Sequence, residues 1–387
     1  MSYKVEVAVV GAGVVGAAVA HLLAAQGREV FVLEQNPGIA RGENQSSRNS
    51  GVIHAGLYYD RATRPLKARL CPRGNQLLYD FCRAHAVPHL ACGKLVVAVA
   101  PPELAVLELY AARAREYGVP VELLDAAAAR DREPLVRSVG ALWCPTSGIV
   151  DPTALVHRLC TLAERDGAQF LPGTRVTGLA RHPEGVEVTI TYRDGAQDRF
   201  LAARVVNAAG LAADEVALLL NPASPWRVDP MRGEARCFQR GLRPELALAG
   251  CNVYPTPRQV RLAGGVYWTV GVHLTPTLET TPAGETRLSD TVTVGPLNFS
   301  ARHKEDFGGD LRPAAEFLAE VAAFCPSLRE EDLKPYQAGV QARLAGAQDW
   351  VLTPEPTCPA CLHLLGLDSP ALTSCLALAE RVREMLG

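Results

Sequence analysis

The sequence carries no surplus of either charge. Its 39 Lys and Arg stand against 41 Asp and Glu, a net −2 with the two signs interspersed. A nucleic-acid binder needs a basic face to neutralise phosphates, so this balance argues against nucleic acid as a partner. Long hydrophobic runs are missing too: none approaches the ~20 residues that cross a bilayer. No strongly amphipathic basic helix marks a membrane anchor. The first strand pattern begins within a few residues of Met1, which leaves no room for a secretory leader. The expected location is cytoplasmic, with peripheral contact at a membrane left open. Internal repeats, low-complexity tracts and linkers are absent. Lysine is scarce beside arginine, which reads as coding bias.

What is present suits a globular enzyme, with 48% hydrophobic and 21% charged residues. A chain of 387 residues exceeds one compact core, and domains of ~150 residues make two the expected number. Eleven cysteines lie scattered without a repeating frame and read as reduced thiols, mostly small core residues. Cys358-Pro-Ala-Cys361 followed by His363 lacks the second ligand pair that zinc would want, so no metal is expected there.

Val5–Val10 is a continuous apolar run ending at Gly11, as a buried parallel strand should be. Val14–Gln26 reads as a helix of small residues and Glu29–Leu33 as a second strand, which together make a βαβ unit. Helices are expected from Pro65 to Ala86, Pro102 to Tyr117, Pro152 to Asp166 with Asp151 as N-cap, Pro313 to Phe324 and Pro370 to Leu386. Short strands are expected at Cys92–Ala100, Ala168–Leu171, Gly185–Tyr192, Arg204–Asn207 and His363–Gly366, and strands with turns between Trp226 and Asn298. Parallel-sheet signals at both ends and in the middle, with antiparallel-looking stretches between, predict an α/β fold. Its Rossmann-like dinucleotide domain is discontinuous (1–88, 142–225 and 335–387), and an inserted, mostly antiparallel α+β substrate domain takes 89–141 and 226–334.

Gly11-Ala-Gly13-Val14-Val15-Gly16 is the G-x-G-x-x-G fingerprint. Gly11 permits the tight turn, Gly13 lets backbone N–H groups approach a pyrophosphate, and Gly16 lets helix and strand pack closely. Glu34 ends the second strand where a carboxylate takes the ribose hydroxyls and would repel an added phosphate, which favours FAD or NAD over NADP. Glycines also serve plain packing, but here strand, motif, helix, strand and acid follow in order.

Downstream, Ser46-Ser-Arg-Asn-Ser-Gly-Val-Ile-His-Ala-Gly-Leu-Tyr-Tyr59 and Leu66-Lys-Ala-Arg-Leu-Cys71 resemble the L-2-hydroxyglutarate dehydrogenase/oxidase group of the D-amino-acid-oxidase-like FAD superfamily. The likeness continues through Cys92–Val97, Thr146–Asp151, Val205–Gly210, Met231–Glu234, Gly271–Pro276, Val294–Leu297 and Gly366–Thr373. It implies FAD, held without a covalent bond, beneath an antiparallel substrate domain. It also implies that Ser46, Ser47, Asn49 and Ser50 touch the pyrophosphate or ribityl chain, and that His54 sits near the flavin ring. Gly366, Asp368, Ser369 and Thr373 would close the far side, and Val14, Val15, Gln35, Gly51, Val176, Ala208, Ala209 and Gly210 complete the cofactor contacts. Without the resemblance, Ser46–Ser50 would read as a polar loop. One departure stands out: where the family carries Gly-x-Arg, this chain has Gly339-Val-Gln341-Ala-Arg343, and strand parity lets Arg343 take the cationic role.

Oxidising the C2 hydroxyl of an L-2-hydroxy acid by hydride transfer to flavin N5 needs a cation for the carboxylate and an acceptor for the hydroxyl proton. Histidine, with a pKa of ~6.5, suits the second task. His54 and His273 fall inside the family-like motifs, although most histidines in such a chain are packed or superficial. Arg232 and Arg343 are the candidates for the carboxylate, the alternative for each being an ordinary ion pair. Tyr58, Tyr254 and Tyr267 offer hydroxyls, or else fill core positions. The expected substrate is L-2-hydroxyglutarate, giving 2-oxoglutarate, with electrons passing to oxygen, a quinone or a carrier protein. Two alternatives stay open: oxidation of an amino acid or secondary amine on the same fold, and a flavin-binding protein without turnover.

Overall fold

The apolar run near the N-terminus folds as the strand Tyr3–Val10, and it lies inside a parallel sheet because both its faces are buried. In the computed structural model described here, residues 3–42, 45–262 and 265–387 are placed, with backbone alone at 259–262 and 265–268. Tyr3–Val10 pairs in parallel with Val30–Glu34 on one side and Gln197–Asn207 on the other. Gln169–Pro172 and Cys358–Leu365 extend the parallel set outward.

Helices Val14–Ala24, Pro65–Ala84, Pro152–Arg165 and Ala371–Leu386 cover one face, packing on Val7, Val9, Val30 and Val32. Burying each such aliphatic side chain contributes roughly 1.5–3 kcal/mol, which is why small-residue helices can lie this close. Asp151 caps its helix as expected, its Oδ1 accepting from the N–H groups of Thr153 and Ala154, both at 2.9 Å. The hairpin Thr174–His182 and Gly185–Tyr192, with the helix Ala213–Leu220, covers the opposite face. Gln197–Asn207 is longer than the expected Arg204–Asn207, because its first half also pairs antiparallel with Gly185–Tyr192 while Phe200–Ala202 stay parallel to Tyr3–Val5.

A second sheet holds eight strands in the order Lys334–Leu344, Val228–Gln239, Thr286–Ser300, His273–Thr280, Asn252–Pro255, Lys94–Ala98, Gly140–Cys144 and Glu122–Asp125. Its pairings are antiparallel apart from Asn252–Pro255 with Lys94–Ala98. Leu95, Val97, Val253, Leu274, Val292 and Val294 point to one face, where Phe317, Val321 and Phe324 close a core. The sheet runs past the boundary expected at 334, since Lys334–Leu344 pairs with Val228–Gln239 from Cys237 to Val228. The helix Ala126–Arg132, capped by Asp125, was not anticipated. Among the described residues no helix is long and apolar enough to cross a membrane.

Candidate active site

The glycine loop leaves the strand Tyr3–Val10 and enters its helix at Gly13, the N-cap. A Cβ at Gly16 would stand 1.9 Å from the carbonyl oxygen of Gly11, so strand and helix close only on glycine. Glu34 is buried at the end of the second strand, where Oε2 accepts from Ala12 N and Oε1 from Asn36 N, both at 2.9 Å. Gln35 lies exposed beside it. The hydroxyl of Ser46 accepts from Val14 N at 2.9 Å, on the helix-terminal amide that suits a phosphate oxygen. Ala208 N donates to Val10 O, which brings Ala208, Ala209 and Gly210 against the same loop.

These residues fit an FAD. Gly11, Gly13, Ser46, Ser47, Asn49, Ala209 and Gly210 are only half-buried and gather at the carboxyl ends of parallel strands. A Cβ at Gly13 would lie 3.2 Å from Ser46 Oγ and fill the gap between them. Not every expected side chain points that way. Asn49 shapes its own loop, donating to Gln45 O and Ser46 O and accepting from Gly51 N. Ser47 Oγ accepts from Gly42 N, and Ser50 is exposed. Val176 is buried opposite Ile190 in the core behind the sheet, beside a bulge.

The last turn of the chain closes on His54. His54 N donates to Thr373 Oγ1 at 3.0 Å, Thr373 donates on to Val52 O, and Ser369 Oγ lies 3.3 Å from His54 Nε2. Asn75 and Cys71 both reach the carbonyl of His54. Asp368 is tied back, its Oδ1 accepting from Lys67 Nζ at 2.7 Å and Trp350 Nε1 at 3.2 Å. Gly366 is buried beneath this turn.

Strand alternation sends Lys94, Asn252, Tyr254 and His273 to the face of the second sheet opposite its core, toward His54. The rings of Tyr254 and His273 stack at 3.7 Å. Lys94, 1% exposed, sets its ammonium 3.9 Å from the Tyr254 ring and 5.3 Å from that of Tyr58. His273 Nδ1 lies 3.1 Å from Gly271 O, while His54 Nδ1 and the Tyr58 hydroxyl are buried without a partner among the described residues. At the far side of the same sheet, a Cβ at Gly339 would come 2.3 Å from Arg48 O, so that strand lies directly on the Gln45–Arg48 segment.

Burial lowers the pKa of His54 well below its usual value, helped by the charge of Lys94 and by His273. Burial likewise takes His273 down to about 3 and Lys94 down to about 8. Burial pushes the Tyr254 and Tyr58 hydroxyls up. The wall therefore presents two neutral histidines, able to accept a proton, beside one cation at neutral pH. Lys94 is the residue that sequence reasoning missed. Its signal was a charged side chain opening the apolar run Lys94–Ala98.

Arg232 requires a correction. It is 3% exposed, with Nε on Glu234 Oε1 and Nη1 on Asp306 Oδ1, both at 2.8 Å, and it also donates to Asp306 O and Gly308 O. It is a buried ion-pair residue on the face away from Gly233, already matched by two carboxylates. Gln341 donates to Asn298 Oδ1 at 3.3 Å, and Arg343 leans over the neighbouring strand to donate to Met231 Sδ at 3.4 Å. The Tyr267 side chain lies outside the described residues. Cys358, Cys361 and His363 are buried, with His363 between Asn207 and Glu355, and no metal-ligating group of three gathers among the described residues.

The profile of the FAD dependent oxidoreductase family matches residues 6–385 of the chain. The mitochondrial L-2-hydroxyglutarate dehydrogenase of Arabidopsis thaliana is 30% identical over 98% of this chain and 83% of that protein. The L-2-hydroxyglutarate dehydrogenase of Escherichia coli K12 is 27% identical over 97% and 91%. Among solved structures, dithionite-reduced L-α-glycerophosphate oxidase from Mycoplasma pneumoniae with FAD bound superposes with a TM-score of 0.82 at 21% identity, covering 99% of this chain and 94% of that one. L-proline dehydrogenase from P. horikoshii gives 0.78 at 20% identity, covering 100% and 94%.

Proposed function

Because the chain belongs to the FAD dependent oxidoreductase family, we propose that it oxidises L-2-hydroxyglutarate to 2-oxoglutarate. The fold does not choose the bond, since neighbours of the same shape are named for alcohol and amine substrates alike. The sequence relatives favour the hydroxy acid. The observation that carries the chemistry is the neutral His54, half-buried at the end of the glycine–serine trough and beside the Lys94 cation.

FAD, when bound, accepts the C2 hydrogen with its electron pair. The chain must then take the hydroxyl proton, hold the carboxylates and exclude water. His54 is the proton acceptor in this reading: its Nε2 edge meets Ser369 at the trough, whereas His273 is buried behind it against Tyr254. Loss of one hydrogen with two electrons from C2 and one proton from oxygen leaves the ketone, so the balance closes. Gly11, Gly13, Gly16, Glu34 and Ser46 would hold the dinucleotide, and Ser369 and Thr373 would fix His54.

Steady-state rates with an artificial electron acceptor and a panel of 2-hydroxy and 2-amino acids test the proposal. L-2-hydroxyglutarate should give the highest kcat/KM, well above its D enantiomer and L-glutamate. A 2-amino acid turning over faster than every hydroxy acid would overturn it.

A further inference from the structure

The chain has five lysines among its 39 cationic side chains. Four donate to an oxygen: Lys4 to Glu184 at 2.8 Å, Lys67 to Asp368 at 2.7 Å, Lys304 to Asp214 at 2.5 Å, and Lys334 to Glu331 O at 2.8 Å. Lys94 is the most buried of them, yet among the described residues its ammonium makes no hydrogen bond and no ion pair. A buried ammonium is strongly unfavourable unless something anionic meets it. The two tyrosine faces offset part of that penalty, but a ring face cannot replace a carboxylate.

Among the described residues, the groups around Lys94 come from several elements. Tyr58 and His54 come from the segment after Val52–Ile53, Cys71 from the helix Pro65–Ala84, and Cys92 from the loop before the strand. Cys144 comes from the paired strand, and Tyr254 and His273 from the strands beyond. None of these is an acid. Asn252, in register with Lys94, leaves its Oδ1 without a donor, as His54 leaves Nδ1 and Tyr58 its hydroxyl among the described residues. The wall thus holds one positive charge and several unsatisfied polar atoms, next to the residue that takes the proton in the reading above.

We propose that Lys94 is the cation that receives the substrate carboxylate adjoining the oxidised carbon. Resting on the hydroxy-acid reading, this assigns the C1 carboxylate to Lys94 and leaves the outer end of the acid to the far strands of the sheet. A lysine fits the place because its ammonium is compact and its stem packs between the rings, where a planar guanidinium would need a wider slot.

The test uses the FAD-loaded protein and glutarate, a diacid with no hydroxyl to oxidise, titrated against the flavin absorption spectrum. Lys94→Met should keep full FAD content, hold or raise the thermal midpoint without ligand, and raise the glutarate Kd at least tenfold at pH 7. The midpoint expectation follows because an unpaired buried charge has been exchanged for an apolar side chain of similar length. Lys94→Arg should bind glutarate more tightly than Lys94→Met. The wild-type Kd should climb above about pH 8, where Lys94 discharges, and the arginine variant should not follow it. Glutarate binding in Lys94→Met equal to wild type would overturn the proposal, as would a wild-type spectrum indifferent to glutarate. A lowered midpoint with lost FAD would overturn it too, making Lys94 a structural cation held by its rings. No arm involves turnover, so failure of the substrate reading appears separately, as wild-type enzyme inactive on L-2-hydroxyglutarate.

Discussion

At the scale of single residues, His54 and His273 illustrate how one environment sets two roles. Both are held neutral by burial, but only His54 is partly open toward the trough. Substituting His54 by Gln should lower kcat by about 10²–10⁴, the usual worth of a positioned proton acceptor, with FAD content unchanged. His273→Gln should cost less. The pH dependence carries a sign that separates catalysis from stability. A folded pKa below the unfolded value means that the unfolded chain takes up protons first, so stability is full above ~6.5 and is lost as pH falls. For His273 that loss accumulates from ~6.5 down toward its folded value of about 3. The thermal midpoint should therefore decline below pH 6.5 while kcat/KM, governed by a histidine still neutral there, holds. A kcat/KM that falls by half already at ~6.5 would show His54 titrating as in water. Arg232 shows the opposite case, a cation whose partners consume it. One of them, Asp306, lies 74 residues along the chain, which is why spacing alone left it looking available.

Elements formed by local spacing were the legible ones. Strand, glycine loop, helix and the acid at Glu34 follow within one βαβ unit, and Asp151 caps its helix through neighbours two and three residues on. Elements whose meaning depends on a distant partner were not. Lys94 acquires its surroundings only when its strand pairs with Asn252–Pro255, and the limit of the second sheet at Leu344 is set by pairing with Val228. The prediction at this scale concerns the loop held by Glu34. Because this acid accepts from Ala12 N as well as lying where ribose hydroxyls are expected, Glu34→Ala should remove both a loop tether and a charge-assisted contact. Weaker FAD retention by ~1.5–3 kcal/mol is expected. That is about a tenfold or greater rise in the FAD dissociation constant, measured by flavin fluorescence. Turnover per bound flavin should be little changed, and an unaltered dissociation constant would mean that Glu34 serves the fold alone.

The whole molecule sets the outer face of the second sheet against the loops at the carboxyl ends of the parallel sheet, with His54, Tyr58 and Arg48 at the seam. A diacid in that seam has two ends, and the strand order separates them. His273 stands in the row of Gly295, Ala235 and Gln337, so Arg343 lies three strands away, roughly 14 Å at ~4.8 Å per strand, and six residues further along, roughly 20 Å at ~3.3 Å per residue. Arg343 shortens the gap by leaning across the adjoining strand to Met231, on the face that carries Gly233, Asn298 and Gln341. We propose that Arg343 draws the carboxylate far from the reacting carbon from the outer end of this face, in place of the family arginine that Gln341 lacks, while Lys94 serves the near one. Arg343→Gln should accordingly raise KM for L-2-hydroxyglutarate at least tenfold, about 1.4 kcal/mol, and leave KM for a 2-hydroxy monocarboxylate unchanged. Gln341→Arg should preserve or improve diacid turnover, because it returns a cation to the same strand face two residues nearer Gly339. Equal KM effects of Arg343→Gln on mono- and diacids would instead place Arg343 in the packing between its strand and Val228–Gln239, and the outer carboxylate would be left to Gln341 and Asn298 as neutral donors.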